Sequence, residues 1–213
     1  MKKLLLASRG TYITDGKYEI FDKPRDQIKW AYITTAGKSV PDTAYIQKHV
    51  TRMRKLGWDF EDIDIEGKNP NELREILKDK DAINMLGGNS YFLLKCIRES
   101  GFEQVLKEFL ERGGVYCGSS AGAYVACPTI ETATWRNPKK FNRHGVTDFT
   151  AMNLVPFLIL AHYKREEEQI IQPKIQAAKY PAKLLTDQQA IMVQDDQIEL
   201  LEDPSMELKD FGG

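Results

Sequence analysis

Through the first 130 residues, short β-rich runs alternate with amphipathic helical stretches, and that alternation admits few architectures. A strand that passes through a helix to a parallel neighbour needs a crossover, and repeated crossovers build a parallel sheet with helices on both faces. Residues 4–8, 28–35, 58–65, 81–86 and 115–118 supply the strands. Pro41 and Asp42 open a helix that places Ile46, Val50 and Met53 on one face and closes at Gly57. Asn69-Pro70-Asn71-Glu72 combines an N-cap, a proline at the first helical position and an acid three places after the cap, so Leu73, Ile76 and Leu77 follow on a helix. Residues 91–99 and 102–110 form two further helices divided by Gly101, with Ser90 placed to cap the first. The fold class expected is α/β.

With 213 residues, 42% hydrophobic and 29% charged, the chain suits a single globular α/β domain over residues 1–213. Its 30 Lys+Arg balance 31 Asp+Glu at a net charge of -1, which argues against a nucleic-acid or anionic-membrane partner. The longest apolar run, residues 154–161, is interrupted by Pro156 and is far short of the roughly 18–20 residues that cross a bilayer. Lys2 and Lys3 followed by Leu4-Leu5-Leu6-Ala7 look like the start of a secretory signal, but Arg9 ends the apolar core early. Cys96, Cys117 and Cys127 match neither a disulfide framework nor a zinc site, so a reducing cytoplasm and no metal are expected. Beyond residue 130 the periodicity weakens. A polar, basic stretch at 135–144 reads as a surface loop, residues 154–161 as a buried strand, and residues 190–193 and 197–201 as β runs around Asp195-Asp196.

Gly118-Ser119-Ser120-Ala121-Gly122 fits G-x-S-x-G directly after a predicted strand and before a helix-like run at 121–126, the setting of a nucleophile elbow. The glycines allow a sharp turn that presents Ser120 at the carboxyl edge of the sheet, where open α/β sheets place their sites. The alternative is a turn whose hydroxyls only cap the helix. Of three histidines, His49 lies within a helix as a solvent-side or core-edge residue and His144 lies in the polar loop. His162 ends an apolar run, where it can meet Ser120 as general base and then acid. Ala121, the residue after the nucleophile, supplies one oxyanion donor. The Gly87-Gly88-Asn89 turn is the best source of a second.

These residues resemble the serine peptidases of the peptidase E and cyanophycinase-like family, peptidase family S51. Its marks are a G-G-N turn before a Leu-rich helix, here Gly87-Gly88-Asn89-Ser90-Tyr91-Phe92-Leu93-Leu94, and a G-x-S-A-G elbow continuing into A-x-V-A-x-P-T-I, here residues 118–130. Met152-Asn153-Leu154-Val155-Pro156 leading to His162-Tyr163 is similar to the segment before the family's histidine. The likeness covers about residues 81–163. It implies a flavodoxin-like three-layer parallel sheet related to class I glutamine amidotransferases, Ser120 as nucleophile, His162 as base, and Gly88 and Ala121 as oxyanion donors, with no cofactor. Peptidase E cleaves after an amino-terminal aspartate, so the implied substrate is a short peptide.

The family's closest members carry a triad aspartate in a T-T-N-D-like stretch after P-T-I. Here that stretch is Glu131-Thr132-Ala133-Thr134-Trp135-Arg136, and Trp135 stands in the aspartate's place. Glu131 and Asp148 are the nearest carboxylates to substitute. The alternatives are a slower dyad, or a catalytically impaired binding protein of the same fold. An esterase-type serine hydrolase shares the elbow, whereas a thiol amidotransferase would need cysteine at its centre, and Cys117 lies outside it. The charged run at 164–168 either holds a charged substrate end, with Arg165 as the residue to do it, or is the solvated start of a helix.

Overall fold

The computed structural model describes residues 2–15, 20–136 and 144–204. Strand β1 (Lys3–Ala7) leads into helix α1 (Gly10–Asp15), followed by β2 (Lys29–Ile33), α2 (Ala44–Lys55), β3 (Asp59–Ile63) and α3 (Pro70–Leu77). Next come β4 (Ala82–Met85), the helix pair α4 (Ser90–Ser100) and α5 (Phe102–Glu111), β5 (Val115–Ser119) and the single turn α6 (Ala121–Tyr124). The remainder is β6 (Leu158–Leu160), α7 (Glu168–Ala177), β7 (Ala182–Leu184), β8 (Gln189–Gln194) and β9 (Gln197–Glu202).

Seven strands form one sheet in the order β3-β2-β4-β5-β1-β8-β9. The five strands β1 to β5 run parallel, and β8 and β9 close the sheet antiparallel. Alternate residues of a strand feed separate cores on the two faces. In β1, Leu4 and Leu6 join one apolar cluster while Leu5 and Ala7 join the other. Burial on both faces is what makes a parallel strand read as an unbroken apolar run, and the result is the three-layer α/β architecture expected.

Local chemistry sets the helix limits. Asn69 caps α3 in a full capping box with Glu72. Gly101, at φ 67, divides α4 from α5 in a left-handed turn that L side chains rarely adopt. The cap of α4 is Asn89, not Ser90: the Asn89 side chain accepts from the N–H groups of Tyr91 and Phe92, and Ser90 is already the first helical residue.

The predicted strand at 154–161 is shorter than expected and sits elsewhere. Only Leu158–Leu160 is a strand, and it pairs in parallel with β7 in a separate two-stranded sheet. Pro156 lacks an N–H for a ladder. Upstream, the amides of Ala151, Met152, Asn153 and Leu154 are spent on the carbonyls of Pro128, Val125, Cys127 and Ala126. Those bonds take the carbonyls that follow α6, which ends at Tyr124 and not at residue 126.

Of the stretch read as a surface loop, residues 137–143 lie outside the described residues, and Trp135 is buried in the core. No helix among the described residues is long and apolar enough to cross a membrane.

Candidate active site

Ser120 follows β5 directly and holds φ 49, ψ −109, with its N–H donated to the Ala7 carbonyl at 3.1 Å. A non-glycine residue held there stores on the order of 1–3 kcal/mol of backbone strain. Two glycines make the turn possible. A Cβ on Gly118 would lie 2.5 Å from the Gly122 carbonyl oxygen, and one on Gly122 would collide with the Met85 carbonyl of β4. The buried Tyr116 hydroxyl then donates to the Gly122 carbonyl at 2.7 Å, fixing the far side of the elbow. The adjacent turn is equally restricted. Gly88 has φ 148, and a Cβ there would run into the Ala36 backbone, while Gly87 lies directly against the Ser120 side chain.

His162 Nε2 lies 3.2 Å from Ser120 Oγ, and its Nδ1 lies 2.6 Å from Asp187 Oδ1. Ser8 Oγ accepts the His162 N–H at 2.7 Å and itself donates to Asp187 Oδ1 at 3.4 Å. Arg9 Nη1 stands 3.7 Å from the second Asp187 oxygen. Burial pushes the Asp187 carboxyl up, but the His162 hydrogen bond and the charges of His162 and Arg9 outweigh it and hold it below the ordinary aspartate value. The carboxylate is therefore ionised where the imidazole needs an acceptor.

The structure brings together two of the residues predicted from sequence, Ser120 and His162, and sets the Gly88 turn beside them. It does not bring in either carboxylate expected to stand in for the displaced aspartate. Asp148 is 66% exposed and pairs with Arg98 at 3.1 Å. Glu131 opens the short 3-10 turn Glu131–Thr134, and the carboxylate on His162 is Asp187. Asp187 lies 56 residues from Glu131 in sequence, beyond the span that the family motifs cover. One signal was present. Leu184-Leu185-Thr186-Asp187 is a short apolar run ending in an acid, the pattern of a strand that delivers a carboxylate at its carboxyl end.

The remaining histidines are packed. His144 Nε2 lies 2.6 Å from Ser39 Oγ, and its ring rests on Phe92 at 4.8 Å between centroids, away from Ser120. His49 is 6% exposed and packs so closely on Gly10 that a Cβ there would sit 2.6 Å from its ring. Burial, aided by Arg9 and Arg52 and opposed by Asp15, pulls its pKa down to about 4. Between that value and the ordinary histidine range near 6.5, the unfolded chain binds a proton that the folded chain excludes. Stability is therefore lost as the pH falls through this window. Between pH 7 and pH 4.5 the wild type should lose about 2 kcal/mol more than His49→Gln in urea unfolding. Equal losses would show that His49 does not titrate this way.

Ser120 and His162 open onto a cavity of about 520 Å³. It is walled by the turns after β1, β2 and β4 and by α2, and Arg9, Lys48 and His49 stand on its wall with Asp42. The volume lies in the ordinary range of small-ligand sites. Arg165, the residue expected to hold a charged substrate end, is exposed and is not part of this wall; the neighbouring Glu167 is engaged by Arg136.

Comparison with known proteins places these features in context. The profile of Peptidase family S51 matches residues 4–201. An uncharacterized peptidase of Listeria innocua is 29% identical over 172 residues, covering 78% of this chain and 81% of its own. An uncharacterized peptidase of Listeria monocytogenes is 32% identical, covering 68% and 70%. Peptidase E of a Nostoc species is 30% identical, covering 76% and 66%. A crystal structure of a Listeria monocytogenes protein provisionally named peptidase E superposes with a TM-score of 0.78 at 26% identity, covering 95% of this chain and 98% of that one.

Proposed function

The chain belongs to Peptidase family S51, a family of serine-type peptidases, and on that premise we propose that Ser120 is its nucleophile, His162 its general base and Asp187 the acid that orients the base. The observation that carries the reading is the single imidazole bonded at both nitrogens, 3.2 Å from the Ser120 hydroxyl and 2.6 Å from the Asp187 carboxylate. Asp187 accepts a hydrogen bond from Nδ1–H, which leaves Nε2 free of hydrogen and able to take the proton of Ser120 as its oxygen attacks the scissile carbonyl. The backbone N–H groups of Ala121 and Gly88 receive the oxyanion, a role favoured by the strained elbow and by the glycine turn whose first residue, Gly87, lies against the serine. The imidazolium then protonates the leaving amine, and water repeats the sequence on the acyl-enzyme.

Family membership sets aside an esterase of a different scaffold. An inert binding protein of the same fold would leave the histidine without a carboxylate partner, whereas Asp187 lies 2.6 Å from His162 Nδ1. The cytoplasm suits the activity, since Cys96, Cys117 and Cys127 are all unpaired, buried thiols.

The substrate we propose is a short peptide with an acidic amino-terminal residue. Arg9 and Lys48 give the wall of the cavity that Ser120 opens onto two cations, and the more exposed Lys48 is the better placed to meet a side-chain carboxylate. A panel of short peptides differing only in the first residue tests this. Lys48→Ala should raise KM about tenfold for an aspartyl peptide and leave alanyl and leucyl peptides within about twofold. A uniform change across the panel, or a wild type that prefers neutral peptides, would overturn the substrate assignment.

A further inference from the structure

The segment that departs from the family pattern, Trp135-Arg136, has a place in the structure that the reaction steps do not use. Trp135 is buried in the core and anchors the end of the 3-10 turn, so Arg136 emerges directly behind His162. Besides meeting the Tyr124 hydroxyl, its guanidinium donates to two backbone carbonyls and to Glu167. Nη1 donates to the Ala161 carbonyl at 2.9 Å and Nη2 to the His162 carbonyl at 2.9 Å. Nε and Nη2 donate to the two carboxylate oxygens of Glu167 at 2.7 and 2.8 Å. Glu167 in turn accepts the Lys164 N–H at 3.1 Å, tying the pair to the chain just beyond His162.

His162 needs such support. At φ 57 it is a non-glycine residue in the left-handed region, a conformation that persists only when its surroundings impose it. Its N–H is held by Ser8 and its carbonyl by Arg136, so the two peptide groups flanking the strained Cα are fixed from opposite sides. An exposed ion pair alone would count for little. Here the Arg136 side chain is only 31% exposed, and two of its bonds go to backbone carbonyls at the catalytic residue itself.

From this arrangement we infer that Arg136, oriented by Glu167, is a positioning residue for the reaction: it holds the left-handed turn at His162 that aims the imidazole at Ser120. The inference rests on the Ser120-His162 reading above. It also gives the charged run at 164–168 a role other than substrate binding, since Glu167 faces the back of the site.

Arg136→Lys, Arg136→Ala and Glu167→Gln test it, with the concentration of competent sites in each variant counted by a serine-directed phosphonate and mass spectrometry. Per labelled site, kcat for Arg136→Lys and Arg136→Ala should fall about 10- to 100-fold with KM within about twofold, because a displacement of the base near 1 Å costs that much. Glu167→Gln should fall less. Millimolar guanidinium should restore part of the kcat of Arg136→Ala and none of that of Asp187→Asn. A merely structural role predicts a lower melting temperature and fewer labelled sites, with wild-type kcat at each. That result would overturn the inference while leaving the serine peptidase reading intact. A folded wild type that neither labels nor hydrolyses would overturn both.

Discussion

Ser120→Ala should abolish peptide hydrolysis, lowering kcat by about 10⁵- to 10⁶-fold, without loss of the folded state. Only the hydroxyl group is lost. The Ser120 amide still donates to Ala7, and the backbone stays in the same strained turn. Alanine at φ 49 is no better accommodated than serine, so the melting temperature should move little. Ser120→Gly separates strain from chemistry. Glycine enters this region freely, so the variant should be as inactive as Ser120→Ala yet more stable by about 1 kcal/mol, once the larger entropy of its unfolded chain is set against the relieved strain. Thermal unfolding of the three proteins, read beside their turnover of one peptide, checks both halves. Appreciable hydrolysis by Ser120→Ala would end its assignment as nucleophile.

Asp187→Asn should lower kcat by about 10⁴-fold, the second largest effect expected. The shape of the side chain is kept, but its amide can donate to Nδ1. That bond selects the tautomer with hydrogen on Nε2, which then cannot accept the proton of Ser120. The carboxylate is also held below the ordinary aspartate value despite burial, by His162 first and then by Arg9. A group with a lowered folded pKa contributes stability that is present above its unfolded value and lost as the pH falls through the folded one. Asp187 therefore supports the site throughout the neutral and mildly acidic range. Glu131→Gln and Asp148→Asn, in contrast, should retain activity near the wild-type level, since Asp187 is the carboxylate on His162. Kinetics of the three variants on one substrate would show it, and a larger loss for Glu131→Gln or Asp148→Asn than for Asp187→Asn would reverse the assignment.

The parallel sheet was legible because each strand buried on both faces is an apolar run, and each crossover helix carries its own stop and start residues. Asn69-Pro70-Asn71-Glu72 and Gly101 are local signals and act locally in the structure. The elbow was legible for the same reason: Gly118 and Gly122 are demanded by backbone contacts within a few ångströms of Ser120. Asp187 was not legible, because what joins it to His162 is the pairing of β6 with β7, a contact between segments whose alignment no short pattern specifies. The limits of β6 were not legible for a related reason. Its apolar run predicts burial correctly, but the partner that fixes the backbone of residues 151–154 is the segment after α6 and not a strand. Arg136 and Glu167 are a third case. Each looks like an ordinary surface charge in sequence, and only their convergence on the carbonyls behind His162 gives them a role.

On the proposed mechanism one serine of this chain is activated by His162. Reaction of the folded wild type with a fluorophosphonate, followed by peptide mapping in a mass spectrometer, tests it most directly. A single adduct on Ser120 is expected, formed orders of magnitude more slowly in Asp187→Asn and absent in Ser120→Ala. A folded wild type with no adduct, or with its adduct on Ser39 or Ser119, would contradict it.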